Sequence, residues 1–126
     1  MLQSSGKPLF KENKRLIVAD VILMLVSCWF EVYPIALLTF IGLIGHLCNL
    51  TVVAANGYKM PVLCNSGDQY VGTHTNMTFS SRFKILADVI PYKGRVMSIG
   101  DVFMCVSLYG TLLYALYLLV RVYLVV

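Results

Sequence analysis

Asp20 and His46 are the residues whose chemistry is least at home in its surroundings. Asp20 lies in the apolar run "LIVADVILMLVSCWFEVY" (16–33), and His46 lies in "PIALLTFIGLIGHLCNLTVVAAN" (34–56). A carboxylate alone in hydrocarbon is expensive, and an imidazole beside it can share a proton. Taking the turn at Tyr33, each residue is thirteen positions away from it. Antiparallel helices of equal rise then bring the two to the same depth. Such a pair suits a proton-linked or ligand site, or simply a hydrogen bond that holds a helical hairpin together. Few spans are available to enclose a pathway, which favours the structural role.

Each of these residues belongs to a stripe. Thr39, Gly42, His46, Asn49, Val53 and Asn56 recur at three- and four-residue intervals, as do Asp20, Met24, Ser27 and Glu31. That spacing lines one helix face. Small and polar faces avoid lipid, so the two stripes are expected to meet each other or a partner. Glu31, at the outer turn, can reach water. Gly42 and Gly45, with Gly110 and Ala115 further on, permit close helix approach without a full GxxxG motif.

The polar stretch 57–97 holds the other candidates. Cys64, Asp68 and His74 are all possible metal ligands, but their spacing matches no common site, and no metal or cofactor is expected. Asp88, Asp101 and His74 could together serve an enzyme at the membrane face, the least favoured reading. No GxSxG, HExxH, P-loop or GxGxxG is present, and no catalytic residue is assigned. In "SIGD" (98–101), Ser98 and Asp101 form a capping box that opens a helix and explains Asp101 without function. Asn49-Leu50-Thr51 and Asn76-Met77-Thr78 are glycosylation sequons by pattern, the first inside a span and the second in a loop expected inside the cell.

The elements that must position these residues are apolar. The chain has 126 residues, 59% hydrophobic and 13% charged, with a mean hydropathy of +0.79. A soluble domain of this size has too much surface to hide that much apolar area. The expectation is an all-α integral membrane protein with three transmembrane helices, 16–33, 34–56 and 98–126, after a basic tail at 1–15. Each run is about long enough for a ~30 Å hydrocarbon core, and backbone in lipid must be helical. Pro34 starts the second helix and makes the first pair a tight hairpin.

Charge orients the chain. Lys7, Lys11, Lys14 and Arg15 precede the first run, and Lys59, Arg82, Lys84, Lys93 and Arg95 lie in the loop 57–97. Both segments are expected to be cytoplasmic, with the C-terminus outside. Within the loop, "RFKILADVIPYKGR" puts Phe83, Leu86 and Ile90 on one helical face among basic residues, the pattern of a short helix lying on the inner leaflet. The basic loop carries no RNA-binding motif, so lipid rather than nucleic acid is its expected contact. Tyr109, Tyr114, Tyr117 and Tyr123 run too deep for an interfacial belt alone, and some should pack against the hairpin. Arg121 can snorkel outward. Cys28, Cys48, Cys64 and Cys105 form no CxxC pair and fix no redox compartment. Cys28 loosely fits a lipoprotein signal, but Asp20 within the apolar region and Trp29 after the cysteine argue for an uncleaved span.

Three ordered blocks, "NLTVVAANGYKMPV", "LADVIP" and "MSIGDVFM", resemble an uncharacterised bacterial membrane-protein family, domain of unknown function 5317. Its members carry a similar "AANGGRMPV", then "GDIIP", then "SIGD". The resemblance covers residues 46–104 and implies a multi-pass bacterial inner-membrane protein without an assigned activity. By position its motif falls on Asn56, Gly57, Lys59, Met60, Pro61, Asp88, Pro91, Ser98, Gly100 and Asp101. Tyr58 stands in place of the second glycine and Lys59 in place of the arginine, and one span precedes the matched helix where the family implies more. The leading expectation is a non-enzymatic component that binds a partner protein or lipid at its cytoplasmic face, as a homo-oligomer or with another membrane protein. The alternative is an oligomeric proton-linked small transporter that uses Asp20 and His46.

Overall fold

Apolar runs broken by Pro34 and ended by the Asn56-Gly57 stop give long helices. The computed structural model describes residues 7–63 and 73–125. Helix α1 runs Lys7–Trp29, α2 runs Tyr33–Ala55 and α3 runs Ile99–Val125. Glu31, in the left-handed conformation, turns the chain between α1 and α2. Helix α2 is central, with α1 packed on one side and α3 on another. Its small and polar stripe supplies both contacts: Ala36, Thr39, Gly42, Gly45, His46, Asn49, Val52 and Val53 are buried.

Helices α2 and α3 are long and apolar enough to cross a membrane. The 23 residues of α2 span about 34 Å. Most large apolar side chains of α3 point away from the bundle, including Leu112, Leu113, Leu116 and Leu119. Tyr109, Tyr117 and Tyr123 are also exposed and face away from the hairpin, while Tyr114 is half-buried. Helix α3 meets α2 through its small residues, Gly100, Ser107 and Gly110, and that narrow seam leaves the rings outside.

Helix α1 differs from the expected first span. It begins at Lys7, so residues 7–15 are helix continuous with the run that follows, not a tail. Lys11, Glu12, Lys14 and Arg15 thus sit on the helix itself, all exposed. The apolar part from Leu16 to Trp29 is about 21 Å long, short of the ~30 Å core.

The described residues between α2 and α3 fold into a cap. Strand β1 (Met60–Val62) pairs in parallel with β2 (His74–Asn76). On its other side β1 is bridged by Asp88, whose amide donates to the Pro61 carbonyl and whose carbonyl accepts from Leu63. Strands β3 (Ile90–Tyr92) and β4 (Arg95–Met97) form an antiparallel hairpin. Its tip, Lys93-Gly94, has two positive φ angles, as tight hairpin turns require.

The expected amphipathic helix across residues 82–95 is absent. Phe83 is left-handed, Lys84–Leu86 makes one 3-10 turn, and Ala87 is already extended. Strand pairing claims Asp88, Ile90 and Tyr92. Pro91 has no amide proton to continue a helix. A small core of Val52, Val53, Met60 and Ala87, flanked by Leu9, Phe10, Met77 and Leu86, joins the cap to α1 and α2.

Candidate functional site

A connected group of polar side chains follows the buried stripe of α2 toward the cap. At the end away from the cap, Asp20 Oδ2 lies 2.8 Å from His46 Nδ1. The same ring nitrogen is 3.1 Å from the Gly42 carbonyl oxygen. A proton on Nδ1 can therefore be shared between the carboxylate and that carbonyl. Both residues are largely shielded, with side chains 11% and 20% exposed for His46 and Asp20. Ser107 of α3 reaches the same place: a Cβ on Gly42 would lie 2.6 Å from Ser107 Oγ and 3.8 Å from Asp20 Oδ2. All three helices thus bring a polar group to Gly42. Sequence reasoning paired α1 with α2 and missed Ser107, whose spacing from Gly100 and Gly110 on α3 was the available signal.

One turn further on, Asn49 holds the start of α3. Its amide nitrogen donates to Asp101 Oδ1 at 2.9 Å, and its carbonyl oxygen accepts from Ser98 Oγ at 2.8 Å. Ser98 and Asp101 are also bound to each other. The Asp101 amide donates to Ser98 Oγ at 3.0 Å, and the Ser98 amide to Asp101 Oδ2 at 2.9 Å. This capping box satisfies amides at the start of α3. Asn49 extends it across the helix interface. Gly100 lies against Asn49 and the Gly45 carbonyl, so any side chain there would collide with both.

Asp88 is buried and faces His74, with Oδ2 3.3 Å from Nε2. His74 Nδ1 is 2.7 Å from the Thr73 hydroxyl. Asp88, Asp101, His74, Asn49 and Asn13, with apolar Leu9, Val53 and Met60, surround a cavity of about 70 Å³. That is room for one or two waters. Burial pushes the Asp88 carboxyl above the ordinary aspartate range, against the pull of its His74 contact, and the nearby Asp101 carboxylate raises it further. The folded state therefore holds the proton more tightly than the unfolded chain does. Stability should fall as pH rises from the ordinary aspartate value through the raised one, since the folded form binds more protons in that window. Asp88→Asn is expected to flatten this segment of the pH–stability curve, measured by thermal unfolding in detergent from pH 4 to 8 in ~0.5-unit steps.

The remaining motif residues also tie the cap to the bundle. Asn56 clamps the backbone of Arg82 from both sides: its amide nitrogen donates to the Arg82 carbonyl at 2.9 Å, and its oxygen accepts from the Arg82 amide at 2.8 Å. Gly57 takes φ +66° just past the end of α2, and the Tyr58 amide returns to the Val53 carbonyl at 2.8 Å, closing a Schellman stop. Tyr58 is itself left-handed at φ +65°. A glycine is the natural occupant of that conformation. The Tyr58 ring meets Phe10 edge-on, with centroids 5.1 Å apart, and such a contact offsets about 1 kcal/mol of the strain. Met60 and Pro61 are buried in β1; Lys59 is half-buried; Pro91 is exposed in β3.

Asp20 and His46 are therefore brought together, and Asn49, Asp88, Ser98 and Asp101 gather with His74 at the cap. The two groups are joined by one turn of α2. Cys64 and Asp68 lie outside the described residues. Among the described residues, no three His, Cys, Asp or Glu side chains are placed to hold a metal ion.

The model of a family of unknown function, DUF5317, matches residues 1–113. This extends well beyond the blocks at 46–104 and takes in α1. No curated protein matches the chain, and no solved structure does.

Proposed function

The chain belongs to DUF5317, a family of unknown function, and from that premise we propose that it is a non-enzymatic multi-pass component of a bacterial inner membrane that binds at its cytoplasmic face through the folded cap. The observation that carries this reading is how the family-motif residues are spent. Asn56 ties Arg82 of the cap to the end of α2, Gly57 ends that helix, Met60 packs on Val52 and Val53, Asp88 bridges β1 within the cap, and Ser98 and Asp101 fasten the start of α3 to Asn49. The described parts of the inter-span segment, fixed in this way, present an ordered surface beside the membrane, and order lowers the entropy lost on binding. Lys11, Lys14, Arg15, Arg82, Lys84, Lys93 and Arg95 lie on α1's first turns or on the cap, so the positive-inside rule puts the cap and the start of α1 in the cytoplasm. Helices α2 and α3 span, and the short apolar part of α1 crosses with them, its charges snorkelling to the surface.

Topology and binding are tested together. In a chain freed of its own cysteines, Thr75→Cys on the cap should label with a membrane-impermeant maleimide only after spheroplasts are opened, and Glu31→Cys should label in intact ones. The opposite pattern would reverse the orientation. A tagged full chain taken from native membranes should retain a stoichiometric partner protein or tightly bound lipid. Loss of that cargo in an Arg82→Ala variant that remains folded would assign it to the cap.

A second reading has its own observation, the 2.8 Å Asp20–His46 contact with Ser107 from α3 beside it. It is an oligomeric proton-linked transporter, since three helices alone enclose no pathway. His46→Leu should abolish proton flux in proteoliposomes under that reading. Under the first reading it should lower stability by about 1–3 kcal/mol without any flux to lose.

A further inference from the structure

We propose that the Phe79–Ile85 edge of the cap is a binding site for anionic phospholipid, with its aromatic side chains seated in the leaflet and its basic ones on the headgroups. The proposal rests on the reading that α2 and α3 span. The edge is apolar and outward-facing. Phe79 is 103% exposed, Ile85 77% and Phe83 52%. The backbone presents them deliberately. Phe83 occupies the left-handed region at φ +53°, a conformation that bulky residues avoid. Phe83 is not among the side chains packed on the cap core, and about half of it remains exposed.

The level of this edge is fixed by hydrogen bonds. Asn56, at the C-terminal end of α2, holds the Arg82 backbone at 2.8 and 2.9 Å, and the Lys84–Leu86 turn packs against both α2 and α3. Since α2 is about as long as a bilayer core is thick, its end lies at the headgroup layer, and so does this edge. Lys84 closes the segment, donating from Nζ to the Phe79 carbonyl at 3.0 Å with the ammonium 5.5 Å from the Phe79 ring centroid. Arg82 is exposed on the same turn. Aromatic and aliphatic side chains beside two cations suit the interface of an anionic leaflet, where each cation near the surface adds about fivefold to partitioning. A protein partner would be expected to cover the same edge with carboxylates; the position at the headgroup level favours lipid.

Single tryptophans report this directly. In a Trp29→Phe background, Phe79→Trp and Phe83→Trp would be reconstituted in vesicles of phosphatidylglycerol and phosphatidylethanolamine, some carrying brominated acyl chains. Both tryptophans are expected to be quenched by the brominated chains and shielded several-fold from aqueous acrylamide. Leu113→Trp on α3 serves as the membrane control. Quenching of Leu113→Trp without quenching at positions 79 and 83 would overturn the lipid site and leave the membrane reading intact. Absence of quenching at all three positions would overturn both. Shielding from acrylamide without bromine quenching would mean that protein covers the edge, and would also overturn the proposal. Wild-type chain in detergent should retain phosphatidylglycerol over phosphatidylethanolamine by native mass spectrometry. Arg82→Gln should reduce that preference about fivefold. Equal retention of the two lipids by the wild type would overturn the proposal without any need for the tryptophan variants.

Discussion

Gly100→Ala should lower the stability of the detergent-solubilised protein by about 3 kcal/mol. A Cβ at that position would come within 2.6 Å of the Gly45 carbonyl oxygen, and closer still to the Asn49 carboxamide. A backbone carbonyl in the middle of α2 cannot step aside. The helices would have to separate, and the Ser98–Asn49 and Asn49–Asp101 bonds would lengthen with them. Gly110→Ala is the control on the same seam. Its Cβ would meet the end of the Leu38 side chain, which can change rotamer, so a loss below about 1 kcal/mol is expected. Equal losses for the two variants, measured by thermal unfolding in one detergent, would mean that the crossing does not depend on Gly100.

The second large effect is expected at Asn49. Asn49→Leu keeps the branching and heavy-atom count but removes an acceptor from Ser98 and a donor from the Asp101 carboxylate, which should cost about 3 kcal/mol. Asn49→Asp is the sharper test. It returns the acceptor to Ser98 but sets a second carboxylate against Asp101, so the damage should grow as pH rises and both ionise. A stability loss independent of pH would argue that Asn49 acts by shape alone. Both variants should also loosen the cap, seen as faster hydrogen exchange at Met60 and Val62, because the start of α3 anchors that end of the molecule.

Periodicity and punctuation made the helices legible. Pro34 and the Asn56-Gly57 stop bracket α2 to within a residue. The apposition of Asp20 and His46 followed from counting equal distances on either side of one turn, and the Ser98–Asp101 box from a three-residue spacing. Long-range pairing was not legible in this way. The segment 82–95 has a helical apolar spacing, and nothing local shows that Asp88 will bridge β1 some 26 positions earlier or that Ile90 will pair with Met97. Asn49 was visible as part of a stripe, but its partners stand beyond the loop. Residues 7–15 looked like a solvated tail because they are charged. They are helix because Leu9 and Phe10 pack against Val52, Val53 and Met60, a contact that appears only when the cap is in place.

The hairpin of α1 and α2 can form as soon as both helices leave the ribosome, yet Asn49 then faces a void. Ser98 is 49 positions downstream, and Asp101 is 52. Until they are synthesised, Asn49 lacks both of its polar partners, although β1, whose Met60 covers Val52 and Val53, has already been made. The cap cannot be the nucleus either, since its core borrows side chains from both earlier helices. By its contact with Asn49, α3 acts as a latch on the hairpin: a chain stalled before Ser98 should be a substrate for quality-control proteases, and a completed one should not.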